Sequence, residues 1–331
     1  MGNCNDLFRN NNNYKEVKKD ENFTLKSKDN INNKKEVKED IKEIKETWIF
    51  KDNVYYSSNG NKWEGEVKDG IPEGNGVYIN KDGVKYIGEV KNHEYNGKGI
   101  YYFPNGNKYE GEFLDNRVHG YGIFYYKNGD KYEGQFIADQ KNGKGTFHWV
   151  SGDKYEGQFV TDQKNGKGTF HWVSGNKYEG EFVNDKKNGK GIYYGKNGSK
   201  YEGEYENDKR NGFGIYTSPE CIYKGNFSNG TYSGYGCNTI INPLDKRITG
   251  IYEGLFLSNN YHGQGLLKVY REDGSIEITR GTFKEGMKHG FCRIEVSKNI
   301  LVTEGLNVTQ KEETTLFYEG FYENGFPIPP K

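Results

Sequence analysis

The chain has 331 residues, of which 46 are Gly and 51 are Tyr, Phe or Trp, while Ala occurs once, at Ala138, and Leu 11 times. Helical and α/β enzymes are built on Ala and Leu, so this stock excludes them and points to strands and tight turns. The 47 basic and 47 acidic residues cancel, and no run of 18 apolar residues occurs, which argues against a nucleic-acid partner and a membrane-spanning helix.

Residues 1–47 are dominated by Asn, Lys, Asp and Glu, with 11 basic and 10 acidic residues. Such a segment buries too little apolar surface to order itself and reads as a disordered tail. Its start, Met1-Gly2-Asn3-Cys4-Asn5-Asp6, lacks the apolar core of a secretory signal. It looks instead like the opening of a dual-acylation signal, in which Gly2 carries myristate and Cys4 palmitate. Asp6 departs from that pattern, which has Ser or Thr there. The alternative is an ordinary disordered start. Farther on, Val37, Ile41, Ile44 and Trp48 fall at i, i+4, i+7 and i+11. That spacing predicts a short amphipathic helix near 33–47, which either caps the following domain or meets a partner or membrane surface.

From residue 48 the chain repeats. An aromatic-Glu-Gly motif begins at Trp63, Tyr86 (with Ile87 in place of Glu), Tyr109, Tyr132, Tyr155, Tyr178 and Tyr201, every 23 residues. A second motif follows each, as in Asn96-Gly97-Lys98-Gly99 and His119-Gly120-Tyr121-Gly122, and a third closes the unit, as in Asn105-Gly106-Asn107-Lys108. Fixed periodicity of this kind means a linear array. The regular repeats span 48–222. Divergent, longer units at Tyr223, Tyr252, Arg280 and Tyr318 fill 223–331 and read as a cap with loop insertions.

Within a repeat, alternation puts Tyr109, Gly111 and Phe113 on one face and Glu110 and Glu112 on the other. Gly99, Tyr101 and Phe103 share a face of a second strand, after a polar connection. Asn-Gly and Asp-Gly pairs between strands signal hairpins, so each repeat is a β-hairpin stabilised by its neighbours. Glycine between aromatics leaves room for the next repeat's ring over bare backbone. About eleven such hairpins, at roughly 10 Å each, predict a twisted rod on the order of 100 Å long. The paired glutamates (Glu64/Glu66, Glu110/Glu112, Glu179/Glu181, Glu202/Glu204) read as a cross-strand ladder with the Lys before each Tyr.

Tyr-Glu-Gly-Glu-Phe, then Asn-Gly-Lys-Gly, then Asn-Gly-Asp-Lys at this period resembles the MORN repeat (membrane occupation and recognition nexus). The resemblance implies an all-β, elongated, twisted array of stacked antiparallel hairpins with an aromatic-lined groove. It also implies scaffolds on membranes or the cytoskeleton, accessory regions of enzymes such as lipid kinases, and, in some members, homodimers through the last repeats.

No catalytic constellation is evident. Residues 131–153 and 154–176 differ at three positions only, so any reactive group there would occur twice. His119, His262 and His289 precede Gly where other repeats have Asn and read as turn residues, while His148 and His171 beside Trp149 and Trp172 read as packing residues. Gly-Lys is followed by Gly or, at Gly195-Lys196, by Asn, never by the Ser or Thr of a phosphate-binding loop, so these glycines read as turn and packing residues. Cys4, Cys221, Cys237 and Cys292 form no C-x-x-C pair, which fits a reducing cytosol without disulfides or zinc. No metal or cofactor is expected.

The expectation is a non-catalytic scaffold at the cytoplasmic face of a membrane or on membrane-associated cytoskeleton. Its partner, a peptide or helix, would lie against Trp63, Tyr86, Tyr109, Phe113, Tyr132, Phe136, Tyr155, Phe159, Tyr178, Phe182 and Tyr201. One alternative is a phospholipid-binding module using Lys141, Lys164, Lys186, Lys187 and Lys209 on repeated loops; another is an accessory subunit of a lipid-kinase or other signalling enzyme.

Overall fold

The structure, a computed structural model, describes residues 48–304 and 307–329. These residues form 24 β-strands and no helix, so the chain is all-β. They fall into two compact stretches divided between Val173 and Ser174. Gly2, Cys4 and the segment 33–47 lie outside the described residues. Trp48, which helical spacing assigned to the amphipathic stripe, is instead the first residue of a strand.

The first stretch holds β1 (Trp48–Lys51), β2 (Val54–Ser57), β3 (Lys62–Lys68), β4 (Ile71–Ile79), β5 (Lys85–Lys91), β6 (Glu94–Tyr102), β7 (Lys108–Leu114), β8 (Arg117–Tyr125), β9 (Lys131–Ile137), β10 (Gln140–His148), β11 (Lys154–Val160) and β12 (Gln163–His171). The second holds β13 (Lys177–Val183), β14 (Lys186–Tyr194), β15 (Lys200–Glu206), β16 (Lys209–Thr217), β17 (Cys221–Ser228), β18 (Thr231–Ile241), β19 (Ile248–Leu257), β20 (Asn260–Tyr270), β21 (Ile276–Lys284), β22 (Met287–Glu304), β23 (Asn307–Glu323) and β24 (Phe326–Pro327). Within each stretch every strand pairs antiparallel with the next in sequence.

Each regular repeat is a hairpin of a 7-residue and a 9-residue strand. The tight turn between them is a two-residue pair such as Asp115-Asn116, both left-handed at φ 49° and 63°. Two consecutive positive φ values are those of a type I′ turn, whose twist matches a hairpin. This pair is the polar connection of the sequence reading. The Asn-Gly of the third motif makes the other loop: Gly106 N–H donates to Phe103 O and Phe103 N–H donates to Asn107 O, both at 3.0 Å.

The second motif is not a turn. It lies inside the long strand, where the register slips between Gly111 and Glu112 of β7 against Gly122 and His119 of β8. Gly120, at φ 59°, and Tyr121 are thus extra on the long strand, a bulge that bends the hairpin. On its other side the same strand pairs regularly, Gly120 with Phe136 and Tyr121 with Gln135. His119, His262 and His289 therefore lie within long strands at the register slip, not in turns.

Asx side chains staple one repeat to the next at both ends. At the turns, Val118 N–H donates to Asp139 Oδ1 at 2.8 Å, and Asp139 N–H donates back to Val118 O at 3.0 Å. Asn116 with Tyr95, Asp162 with Lys141 and Asp208 with Lys187 repeat the arrangement. At the loops, Asn107, Asp130, Asp153 and Asn176 accept the backbone N–H of Lys127, Val150, Val173 and Lys196.

Candidate functional site

The repeat tyrosines explain the bulge. Tyr109 Oη donates to Glu112 O at 3.1 Å and lies 3.4 Å from His119 O, the two carbonyls that the register slip exposes. Tyr86, Tyr132, Tyr155, Tyr178 and Tyr201 bond the third residue on in the same way, and Trp63 does so through its indole N–H. To reach that far, the ring must lie flat along its own hairpin, over Gly111 and Gly122 in the case of Tyr109. A Cβ on Gly99 would stand 2.5 Å from the Tyr86 ring. The glycines thus make room for the ring of their own repeat, not of the next one.

Phe113 meets the edge of Tyr109 at 5.1 Å and 86°, and Phe136 of the next repeat meets it at 5.2 Å and 85°. Edge-to-face contacts of this kind continue through Tyr132, Phe136 and Phe159, and again through Tyr178, Phe182, Tyr201 and Tyr205. Trp63, Tyr86, Tyr109, Tyr132, Tyr155, Tyr178 and Tyr201 are all 0% exposed, and Phe113, Phe136, Phe159 and Phe182 are buried. Burial pushes the Tyr201 hydroxyl up to about 12. This corrects the sequence reading: those eleven side chains are the core, and their rings have no surface left for a partner.

One further residue per repeat covers each ring from above. Tyr95 stacks on Tyr86 at 3.9 Å, Tyr232 on Tyr223 at 3.7 Å and Tyr261 on Tyr252 at 3.8 Å. In the middle repeats a cation takes this place. Lys141 Nζ lies 5.9 Å from the Tyr132 ring and 5.2 Å from Phe147, Lys187 lies 5.6 Å from Tyr178, and the Arg210 guanidinium lies 4.9 Å from Tyr201. Lys141 also faces Asp162 at 3.9 Å. Burial lowers the Lys187 pKa, against the pull of Asp208. Lys141, Lys164 and Lys187 therefore line the inner side of the sheet; of the five lysines proposed for lipid loops, only Lys186 and Lys209 are exposed.

The same side carries a second aromatic row that the sequence reading did not assign to a site. Tyr101, Phe103, Phe124, Tyr126, Phe147, Trp149, Phe170 and Trp172 follow one another with centroids 4.5 to 5.6 Å apart. Tyr101, Phe124 and Phe147 are buried, whereas Phe103, Tyr126, Trp149, Phe170 and Trp172 are part-exposed. Next to the tryptophans, at the loop crests, Val150 and Val173 are 70% and 68% exposed. The signal was present as paired aromatics two residues apart before the Asn105-Gly106, Asn128-Gly129, Ser151-Gly152 and Ser174-Gly175 loops. What was missing was which of the two rows faces solvent.

The opposite side carries the ion pairs. Lys108–Glu110, Lys131–Glu133, Lys154–Glu156, Lys177–Glu179 and Lys200–Glu202 pair at 2.5 to 3.3 Å. These are partners two residues apart on one strand, not the expected cross-strand ladder. His148 and His171 are exposed on this side, so they pack neither in the core nor against the aromatic row.

These features, an aromatic lying over paired glycines with its tip bonded three residues on, recur at a 23-residue spacing. The MORN repeat model matches residues 63–85, 86–108, 109–131, 132–154, 155–177, 178–200, 201–220, 223–237, 252–268 and 280–294. The chain belongs to the MORN-repeat family. The unit at Tyr318 lies beyond these matches. No curated protein matches the chain. Among the described residues of this MORN-repeat protein, no group of three or more His, Cys, Asp or Glu is placed to hold a metal ion, and no helix is long and apolar enough to cross a membrane.

Proposed function

We propose that this MORN-repeat protein is a non-catalytic scaffold that holds a peptide or helix of a protein partner and localises it to a membrane or the cytoskeleton. The observation that carries this reading is the part-exposed aromatic row, not the buried tyrosine ladder. Phe103, Tyr126, Trp149 and Trp172, with Val150 and Val173 at the crests, offer an apolar lane on rigid strands. Large aromatics that keep one side in solvent are the usual anchors of such contacts. Two nearly identical repeats double the Trp-Val pair, which suits binding and would be redundant in catalysis.

Affinity capture with the full chain tests the reading. A Trp149→Ser, Trp172→Ser variant with an unchanged far-ultraviolet circular dichroism spectrum should lose the captured protein; equal recovery would overturn the aromatic-row site. Gly2 and Cys4 are the proposed membrane anchor, placing the scaffold at the cytoplasmic face of its membrane.

A second contact is favoured by the last repeats. On the outer side, Phe291 and Phe321 stand 5.6 Å apart at 48% and 59% exposure. We propose this as a homodimer surface. Sedimentation should show a dimer that Phe291→Ser with Phe321→Ser converts to monomer, and a wild-type monomer at all concentrations would sink the idea.

A further inference from the structure

The chain enters the sheet at Trp48, opposite Ser57. Phe50 contacts Tyr55 at 4.8 Å, and Tyr55 pairs with Trp63, so Trp48, Phe50, Tyr55 and Ser57 share the aromatic side. At the position held later by Phe103, Tyr126, Trp149 and Trp172, the first two units carry Ser57 and Asn80. The row therefore lacks two rings at this end. What remains there is apolar and partly bare: Tyr55, Tyr78 and Tyr95 are part-exposed and Phe50 is 57% exposed. None of these side chains carries a charge. The Trp48 indole nitrogen is also buried with no acceptor among the described residues, a state that native structures rarely leave uncorrected.

The segment that directly precedes Trp48 has the matching chemistry. Between residues 33 and 47 the apolar side chains are Val37, Ile41 and Ile44 alone, at i, i+4 and i+7, among five lysines and five acids. At helical rise, residues 33–46 span about 21 Å, close to the width of four strands at about 4.8 Å each. That covers the ground from β1 to the second hairpin and no more. We infer that residues 33–47 dock in cis on the aromatic side of the first two units, with Val37, Ile41 and Ile44 against Tyr55 and Tyr78. The uncharged floor takes the uncharged stripe, the balanced charges stay in water, and the segment brings acceptors to the Trp48 N–H. This assignment does not depend on the partner-binding reading, which concerns Phe103 to Trp172.

Hydrogen exchange of the full-length protein, read by mass spectrometry, tests it. Amides of 37–46 should exchange at least roughly tenfold more slowly than those of 10–30, the factor that a local stability of about 1.4 kcal/mol produces. An Ile41→Asp, Ile44→Asp variant, altered outside the sheet, should lose that protection, and Ile41→Leu with Ile44→Leu should keep it. Equal exchange in both segments would overturn the proposal. So would protection that survives the Asp variant, or protection that grows with protein concentration, which would mean a second copy.

Discussion

A tyrosine differs from a phenylalanine by one hydroxyl, and in these hairpins that hydroxyl closes the bulge. Replacing Tyr132 by Phe leaves the Gln135 carbonyl, now bonded at 3.0 Å, without its donor. The expected loss is about 1–3 kcal/mol in urea unfolding; an unchanged midpoint would mean that the bulge does not need the hydroxyl. The Asx staples give a sharper test. Burial raises the Asp139 pKa, although Val118 N–H opposes the shift. A folded value above the unfolded one makes the contribution of Asp139 fully present below the unfolded pKa and lost as pH rises through the folded pKa. Asn keeps the acceptor, as Asn116 does for Tyr95. Asp139→Asn should therefore match or exceed wild type at pH 7, with the advantage vanishing in acid, while Asp139→Ala should lose about 1 kcal/mol. For Lys187 the sign is opposite in pH. Its lowered pKa means that the buried charge costs stability at neutral pH and that this cost fades as pH rises toward the ordinary lysine range. Lys187→Tyr, copying the ring stack of Tyr95 on Tyr86, should raise the unfolding midpoint at pH 7 and flatten the alkaline gain.

At the scale of the element, the hairpin shows what its pattern tolerates. In β21 the tyrosine position is Thr279, and in β22 the second glycine position is Cys292. Both are fully buried. The Cys292 thiol donates to Thr282 O at 3.5 Å, filling the place of the missing phenol, so a smaller residue on one strand is balanced by a larger one on its partner. Thr279→Tyr alone should overpack and cost about 1–3 kcal/mol. Adding Cys292→Gly should recover most of it, giving a coupling energy in a double-mutant cycle; additive losses would show the two sites to be independent. The sequence revealed this hairpin only as a degenerate Arg280-Gly-Thr-Phe. Compensation between strands is a contact property and leaves no periodic trace.

For the molecule as a whole, the proposed anchor and the proposed binding row lie in different regions, Gly2 and Cys4 for the first and Phe103 to Trp172 for the second. A Gly2→Ala, Cys4→Ser variant should move from the membrane pellet to the soluble fraction, and retention on membrane would place the anchor elsewhere. The 23-residue period, the all-β class, the hairpin unit and the family were legible in the residues alone, because each rests on spacing and alternation that a single chain displays. Which row is buried depends on packing across strands. The bulge sets that: it offers two carbonyls to the Tyr109 series, which must lie flat over paired glycines to reach them, and it leaves Phe103, Tyr126, Trp149 and Trp172 at the loop edge, where no later strand covers them completely.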